Sequence, residues 1–391
     1  MLNFEKLSSK ISNITLELSN ESYASNARLE KALKLYEKSI NNDFRLGEII
    51  SDNLDKFPWP VARPFELMSN IKDKPYDLID KYSVVSTDGS QITPNYHEIA
   101  TCYLINIGKI LYTYGTAEKP IQESEPFIYE NDKKFFPFAN INITDDIVAI
   151  KRMLVEIEQL ALLCKKAKEK GYPAIAILDG TLIAWNITSQ NLTLEVQDRI
   201  LNIFLEKIND IRKLEIPLCG YISNSRRNDF VNLLRLNLCP FEEIDCKNKC
   251  SDKEMCNDII PLYDRQIWVR KLKTWQRSPI FISTAKIIDK YQDNQICFFY
   301  INAGNSEIAR IEIPRWVAEN DKYIDLIHYT ICEQIEKGQG YPISLQEAHN
   351  QAVVKNSDKI QFYSMLSRKM INKNLKVSLS NKELKKRSGI T

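Results

Sequence analysis

Residues 174–180 read Ala-Ile-Ala-Ile-Leu-Asp-Gly, a continuous apolar run that ends in an acidic residue and a glycine. Such a run is typical of a strand that is buried on both faces, as in a parallel sheet covered by helices. Residues 145–170 carry apolar side chains at helical spacing and predict an amphipathic helix that ends at Gly171. A helix at about 194–213, a buried strand at 216–222 and a helix at 226–236 are expected to follow. This alternation of helices and strands predicts parallel crossovers.

The residues before this region predict an antiparallel meander. Residues 83–88, Ser-Val-Val-Ser-Thr-Asp, form a short β-type run that ends at Asp88. Residues 98–107 predict a second strand and 110–114 a third, joined by a turn at 106–109. A three-stranded meander followed by alternating helices and strands is the order of a ribonuclease H-like fold. The predicted fold class is therefore α/β, a mixed sheet flanked by helices.

The remaining segments suggest how the chain is divided. Two strands at 295–301 and 308–313 are expected to form a hairpin, and helices are expected at 321–337 and 344–369. The predicted parts are an N-terminal helical extension at 1–80, a main domain at 81–366 with a Cys-bearing insertion at about 239–260, and a basic C-terminal tail at 367–391.

Composition excludes several classes of protein. The chain has 391 residues, of which 44% are hydrophobic and 27% charged, and this hydrophobic content is enough for a globular core. Its 53 Lys and Arg against 51 Asp and Glu give a net charge of +2, so overall charge does not indicate a nucleic-acid binder. No apolar run reaches the roughly 18 residues of a membrane span, and the start lacks the pattern of a secretory signal. Nine cysteines without such a signal favour a reducing cytoplasm.

Two aspartates share a context that suggests chemistry. Asp88 and Asp179 each close a β-type run, and each is followed by glycine and a hydroxyl residue. Because ligands of open α/β sheets bind beyond the carboxyl ends of strands, the two side chains are expected to face one point. Neighbouring carboxylates suit Mn²⁺ or Mg²⁺, and such ions can drive displacement at phosphorus. The alternative is that Asp-Gly simply forms turns.

A two-metal site usually needs a third carboxylate, and the helix at 145–170 offers Glu156 and Glu158. Spacing alone does not choose between them, and glutamate on a helix commonly faces water.

His349 is one of three histidines, and Ser344 with Glu347 fits a capping box that places His349 in the second turn of a helix. It could bind metal or assist proton transfer, or it could be a structural histidine.

Two further segments predict contacts with nucleic acid. Ser223, Ser225 and Arg226 lie at a predicted strand-to-helix junction, where phosphate is favoured, although serine there also serves as an ordinary helix cap. Residues 265–277 hold five basic residues, no acidic residue and two tryptophans. Arg270 could track a phosphate backbone while Trp268 and Trp275 stack on bases, or both tryptophans could belong to the core.

Four cysteines stand close together in the insertion. Cys239, Cys246, Cys250 and Cys256 lie in a short polar segment, whereas the other five cysteines lie in apolar runs. Four thiolates could hold zinc or an iron–sulfur cluster. The spacing differs from the usual pair of CxxC knuckles, so the cysteines could also be unligated.

Five blocks of sequence, in this order, resemble the NurA nuclease family: VVSTDGSQI at 84–92, AILDGTLI at 176–183, GYISNSRRNDFVNLLR at 220–235, RIEIPRW at 310–316 and GYPISLQEAHNQAVV at 340–354. The resemblance implies a ribonuclease H-like, manganese-dependent DNA nuclease that forms a homodimer and works with a HerA-type hexameric ATPase in DNA end resection. It implies that Asp88 and Asp179 bind metal, that His349 is the family's late histidine and that a glutamate, here Glu156, completes the set. The N-terminal extension and the Cys-bearing insertion depart from the compact archaeal pattern.

The sequence thus predicts a Mn²⁺- or Mg²⁺-dependent DNA nuclease with Asp88, Glu156, Asp179 and His349 in its site. The resemblance implies a 5′→3′ exonuclease with single-strand endonuclease activity on single strands or duplex ends; spacing does not show that polarity. Two alternatives remain open at this point. One is a non-cleaving nucleic-acid-binding adaptor on the same fold, and the other is a ribonuclease H-like enzyme that acts on RNA or hybrids.

Overall fold

The computed structural model describes residues 3–41, 43–76, 79–93, 102–130, 143–188, 192–239, 244–250 and 255–374. The helices are α1 Phe4–Ile40, α2 Asp43–Asp52, α3 Asp145–Glu169, α4 Trp185–Thr188, α5 Leu194–Lys213, α6 Asp229–Arg235, α7 Asp264–Lys271, α8 Arg315–Ala318, α9 Asp321–Lys337, α10 Ile343–Ala352 and α11 Asn356–Asn372. The strands are β1 Ala62–Pro64, β2 Tyr82–Ile92, β3 Cys102–Tyr114, β4 Ile121–Glu130, β5 Ala174–Asp179, β6 Leu218–Ile222, β7 Phe281–Ser283, β8 Ile296–Asn302 and β9 Ile308–Pro314. Short 3₁₀ helices span Leu54–Lys56, Leu236–Leu238, Met255–Ile259 and Lys286–Asn294.

The chain forms two compact units, each built from two separate stretches of sequence. The first unit comprises Met1–Pro75 and Ile222–Asp321, and the second comprises Tyr76–Tyr221 and Lys322–Thr391. The linear boundaries at 80 and 366 stay predictions from sequence. Among the described residues, no helix is both long and apolar enough to cross a bilayer.

The sheet of the second unit has the strand order β4–β3–β2–β5–β6. β2 pairs antiparallel with β3 and parallel with β5, β3 pairs antiparallel with β4, and β5 pairs parallel with β6. Val85 shows the central place of β2, because it lies opposite Leu111 of β3 on one side and Ala176 of β5 on the other. The order confirms the predicted ribonuclease H-like mixed sheet.

Helices cover both faces of β2. The hydroxyls of Ser86 and Ser90 donate to Ser344 Oγ at 3.0 Å and to the carbonyl of Ala352 at 2.6 Å, both in α10. The intervening Thr87 donates instead to a carbonyl of α3 at 3.0 Å. Successive side chains of a strand point to opposite faces, so α10 and α3 lie on opposite sides of β2. Asp88 shares the face of Ser86 and therefore points toward α10.

The predicted turn at 106–109 is wrong, because β3 is one continuous strand from Cys102 to Tyr114. The third strand of the meander is β4, which the sequence did not indicate. Residues 98–101 of the predicted second strand lie outside the described residues. A Cβ at Gly108 would lie 2.0 Å from the carbonyl oxygen of Ala348. Gly108 therefore allows α10 to approach the sheet closely, and it does not form a turn.

Other boundaries also differ from the sequence predictions. β2 continues to Ile92, so Asp88 lies within the strand and does not end it. The helix expected at 344–369 is two helices, α10 and α11, and α10 begins at Ile343 after Pro342. Ser344 is therefore not a cap; its amide N–H donates to the side chain of Gln334. Of the predicted basic tail, residues 375–391 lie outside the described residues.

The predictions of α3, β5, α5, α9 and the hairpin of β8 and β9 are confirmed to within about one residue at most ends. These elements have the strongest hydrophobic periodicity in the sequence. In the N-terminal region, α1 and α2 confirm the expected helices, and the short strand β1 adds an element that was not expected.

The first unit carries the antiparallel strand order β1–β7–β8–β9. Its core joins the C-terminal half of α1, including Ala32 and Tyr36, to Phe230 of α6 and Trp268 of α7. A buried ion network lies beside this core. Arg310 donates to Asp229 and Glu312, each at 2.9 Å, and all three side chains are almost completely buried.

Candidate active site

Asp88 is held on β2 by hydrogen bonds to both of its carboxylate oxygens. The amide N–H of Gly89 donates to Oδ1 at 2.8 Å, and Nδ1–H of His349 donates to Oδ2 at 2.8 Å. The His349 side chain is 62% exposed, whereas that of Asp88 is 18% exposed. The imidazole therefore has one nitrogen committed to Asp88 and most of its surface open to solvent. This placement follows from α10, which packs against the face of β2 that carries Asp88.

Asp179 is the last residue of β5, the strand that runs parallel beside β2. The hydroxyl of Tyr341 donates a hydrogen bond to its carboxylate. Partial burial raises the pKa of Asp179, the negative charge of Asp88 raises it further, and the Tyr341 hydrogen bond and His349 act in the opposite direction. The net pKa lies above the usual value for aspartate, as expected for a carboxyl group beside a second carboxylate.

Glu156 reaches the same place from α3. Burial raises its pKa from 4.5 to about 7; Arg152 lowers the pKa, Asp88 and Asp179 raise it, and the amide N–H of Gly89 lowers it. Nε of Arg152 lies 3.2 Å from Oε1 of Glu156, whose side chain is only 13% exposed. A Cβ at Gly89 would lie 2.5 Å from the same Oε1, so only glycine leaves room for this carboxylate.

Glu156 and Glu158 lie on different sides of α3. Glu156 lies against β2 and interacts with both aspartates, while Glu158 is exposed. Two residues along a helix correspond to a rotation of about 200°, so one of the two had to face away from the sheet.

The donor chemistry of these residues fits a hard divalent cation. Three carboxylates, contributed by β2, α3 and β5, interact electrostatically, and Arg152 is the one arginine that contacts Glu156 among the described residues. Oxygen ligands with a net negative charge are those that Mg²⁺ and Mn²⁺ prefer. Among the described residues, no group of three or more His, Cys, Asp or Glu side chains is placed to hold a metal ion. An open set still fits, because Mg²⁺ usually binds one or two carboxylates and keeps oxygens of water and substrate phosphate.

Two residues of this site were missed by sequence reasoning. Tyr341 stands in the Gly-Tyr-Pro run before α10, and Arg152 lies one helical turn before Glu156. A signal for Arg152 was present, since an i, i+4 pair of opposite charges shares a helix face. Tyr341 offered no spacing signal of its own, because its partner Asp179 lies far away in the sequence.

The serines predicted at the strand-to-helix junction do not cap a helix. α6 begins at Asp229 and its N-terminal flanking residue is Asn228. The hydroxyl of Ser223 donates to Glu307 at 2.5 Å, and that of Ser225, which is buried, accepts the amide N–H of Arg227 at 3.2 Å. Arg226 is exposed. These residues belong to the first unit, whereas Asp88, Glu156, Asp179 and His349 belong to the second.

The prediction that Trp268 stacks on bases is wrong, because its side chain is fully buried. It packs against Phe230 and Tyr300, with ring centroids 4.7 and 5.9 Å away. Trp275 is half-buried and has a positive φ of 68°. Arg270 is exposed, and its guanidinium lies 3.3 Å from Glu30. The basic stretch thus divides into a buried aromatic face and a solvated charged face.

A comparison with known protein families finds a match over most of the chain. A family model described as the NurA domain matches residues 82–354. Among solved structures, the NurA nuclease from Sulfolobus solfataricus is similar over 93% of this chain and 98% of its own, with 12% identity and a TM-score of 0.49. No curated protein matches the chain.

Proposed function

This chain belongs to the NurA domain family, and on that premise we propose that it is a metal-dependent nuclease that hydrolyses DNA phosphodiester bonds. The observation that carries the proposal is the convergence of Asp88, Glu156 and Asp179 from three elements of the second unit. Holding mutually repelling carboxylates close together destabilises a protein unless a cation compensates for them. A functional role for that cation explains why the arrangement exists.

Asp88, Glu156 and Asp179 would hold one or two Mn²⁺ or Mg²⁺ ions, which supply Lewis acidity toward the phosphodiester and the attacking water. His349 orients Asp88 through Nδ1–H and leaves Nε2 toward solvent, where it can accept or deliver a proton. Tyr341 orients Asp179 through its hydroxyl. Arg152 compensates for the charge of Glu156, and its partly exposed side chain is placed to meet a phosphate.

The finer parts of the proposal are what the family resemblance implies. We propose a 5′→3′ exonuclease with single-strand endonuclease activity, which acts as a homodimer with a HerA-type hexameric ATPase in DNA end resection in the cytoplasm. Arg226, Arg270 and Trp275 remain candidates for contacts with the DNA strand. Ser223 and Ser225 support the backbone next to Arg226, since their hydroxyls are engaged within the protein.

Cleavage assays with the purified chain test this function. Single- and double-stranded DNA labelled at the 5′ or the 3′ end would be incubated with Mn²⁺, and Asp88→Asn and Asp179→Asn would be compared with wild type. Loss of a metal-holding carboxylate is expected to reduce the rate by about 100-fold or more. Glu158→Gln is the matched control and should cleave at the wild-type rate.

The outcomes separate the candidate functions. Rapid loss of a 5′ label as mononucleotides supports 5′→3′ polarity, whereas loss of a 3′ label supports the reverse. DNA binding with no cleavage above the Asp variants would favour the non-cleaving adaptor. Cleavage confined to RNA or hybrids would favour the other ribonuclease H-like activity.

A further inference from the structure

Two residues on or beside α10 contact the aspartates of the proposed active site. His349 lies within the helix and bonds through Nδ1 to Oδ2 of Asp88 at 2.8 Å. Tyr341 stands just before the start of the helix and bonds to Asp179. The position of α10 on the sheet therefore decides whether both side chains reach their carboxylates.

The spacing of polar side chains along one face of β2 matches the spacing of α10. The hydroxyl of Ser86 donates to Ser344 Oγ at 3.0 Å, and that of Ser90 donates to the carbonyl of Ala352 at 2.6 Å. Four residues of a strand span about 13 Å and eight residues of a helix span about 12 Å, so both contacts form together. Asp88 lies between the two serines on the same face. The serine contacts thus fix the register of α10 on both sides of Asp88.

A buried glutamine of α9 holds the N-terminal end of α10. The flanking residue Pro342 makes no side-chain cap, and the first amides of a helix have no acceptor within it. The amide N–H of Ser344 donates instead to Oε1 of Gln334 at 3.1 Å. Nε2 of Gln334 donates to the hydroxyl of Tyr114 in β3 at 2.9 Å. Because Gln334 is fully buried, one side-chain amide joins α10 both to α9 and to the sheet.

The short connection between α9 and α10 carries Tyr341. It spans residues 338–342, and the amide N–H of Gly338 donates to the backbone carbonyl of Gln334 at 3.0 Å. A Cβ at Gly338 would overlap the carbonyl oxygen of Tyr341, so the two parts of the connection lie in direct contact. A displacement of the start of α10 would therefore move Tyr341 with it.

We propose that Gln334 and Ser86 are positioning residues of the active site, which hold Ser344 so that His349 meets Asp88. Gln334 fixes the backbone of Ser344 from α9, and Ser86 fixes its hydroxyl from β2. Both side chains act through α10, since their hydrogen bonds go to that helix and to β3. This role rests on the proposed function, because the contact of His349 with Asp88 matters for cleavage only if Asp88 binds metal.

Imidazole signals of the metal-free full chain test the proposal independently of activity. The chain has three histidines, so a ¹H–¹³C correlation spectrum at fixed pH contains three sets of imidazole signals, and His349→Ala assigns one of them. Gln334→Met keeps a side chain of similar length and removes both of its hydrogen bonds, and Ser86→Ala removes one hydroxyl. In each variant the His349 signal should move from its wild-type position toward its position in Asp88→Ala, where the partner is missing.

Two matched controls each remove a buried or partly buried hydroxyl without releasing Ser344. Ser83→Ala changes a serine on the opposite face of β2, where it bonds away from α10. Tyr114→Phe removes the acceptor of Nε2 of Gln334, while Oε1 still accepts from Ser344. Both controls should leave the His349 signal at its wild-type position.

The affinity for Mn²⁺, measured by calorimetry, connects this positioning with the proposed function. Gln334→Met should bind Mn²⁺ about 10-fold more weakly than wild type, as is typical when a group that supports a metal ligand is removed. Tyr114→Phe should bind with the wild-type affinity. Wild-type affinity in folded Gln334→Met would overturn the proposal.

The spectra also have outcomes that would overturn the proposal. An unchanged His349 signal in folded Gln334→Met or in Ser86→Ala would do so, and Ser86→Ala decides the question if Gln334→Met does not fold. A signal that moves equally in the two controls would also do so, since any lost hydrogen bond would then have the same effect. If the signal moves as expected but wild type neither binds Mn²⁺ nor cleaves DNA, the positioning of His349 is supported and the proposed nuclease function is wrong.

Discussion

Replacing Glu156 with glutamine should stabilise the metal-free protein at alkaline pH. The pKa of Glu156 rises from 4.5 to about 7 through burial and the neighbouring aspartates, in spite of Arg152. At 1.36 kcal/mol for each pH unit, ionising this group in the folded state costs about 3 kcal/mol. Between pH 4.5 and 7, Glu156 is mostly protonated in the folded protein and mostly ionised in the unfolded chain. The free energy of unfolding of wild type therefore falls as the pH rises through this window. Above pH 7 the full loss of about 3 kcal/mol has been reached.

The assay is urea unfolding in EDTA at pH 5 and pH 8. Glu156→Gln keeps the shape of the side chain and removes its charge, so it should exceed wild type by up to about 3 kcal/mol at pH 8. The difference should be much smaller at pH 5, where the folded wild type is largely protonated. Glu158→Gln, on the exposed side of the same helix, should stay within about 0.5 kcal/mol of wild type at both pH values.

Adding Mn²⁺ should narrow the difference in stability between Glu156→Gln and wild type at pH 8. At a metal concentration 100 times the Kd, binding stabilises the folded state by about 2.7 kcal/mol, and Glu156→Gln should gain less because it lacks a ligand. The reasoning is refuted if Glu156→Gln is destabilised at pH 8 in EDTA. It is equally refuted if Glu156→Gln and Glu158→Gln behave alike in all conditions.

Three further substitutions test single contacts. Tyr341→Phe removes a hydrogen bond that lowers the pKa of Asp179. The acid limb of the pH–rate profile should therefore move to higher pH, and the cleavage rate should fall about 10- to 100-fold. An unchanged profile would contradict this role of Tyr341. His349→Ala, at an exposed position, should leave folding intact and weaken Mn²⁺ binding about 10- to 100-fold by calorimetry; wild-type affinity would argue against it. Arg310→Met leaves buried carboxylates without their cation and should cost about 3–5 kcal/mol in urea unfolding. Replacing the partly exposed Arg315 with methionine should cost about 1 kcal/mol or less, and equal losses for the two variants would contradict the buried network.

The parts of the fold that the sequence predicts best are those with a local signal. The apolar spacing of α3 and the continuous apolar run of β5 determine these elements with little help from the rest of the chain. Gly108 shows the limit of local reasoning. Its local sequence predicts a turn, but its lack of a side chain allows close contact with Ala348, a residue that lies far away in the sequence.

The site was predictable in part for the same reason. Asp88 and Asp179 were found through a shared Asp-Gly context, although Asp88 lies inside its strand. Which glutamate joins them depends on the rotation of α3 against the sheet, and spacing along the chain does not contain that information. The base stacking predicted for Trp268 is wrong for a similar reason, since its packing against Phe230 and Tyr300 in the core is not visible in the local sequence.

Anomalous diffraction from crystals soaked in Mn²⁺ would show whether Asp88, Glu156 and Asp179 hold a metal ion. We predict an anomalous peak bounded by the three carboxylates, with oxygens at about the 2.0–2.2 Å expected for a small divalent ion. The peak should disappear in crystals of Asp88→Asn/Asp179→Asn. Well-ordered wild-type crystals with no manganese among these three side chains, or with manganese bound only elsewhere, would contradict the account.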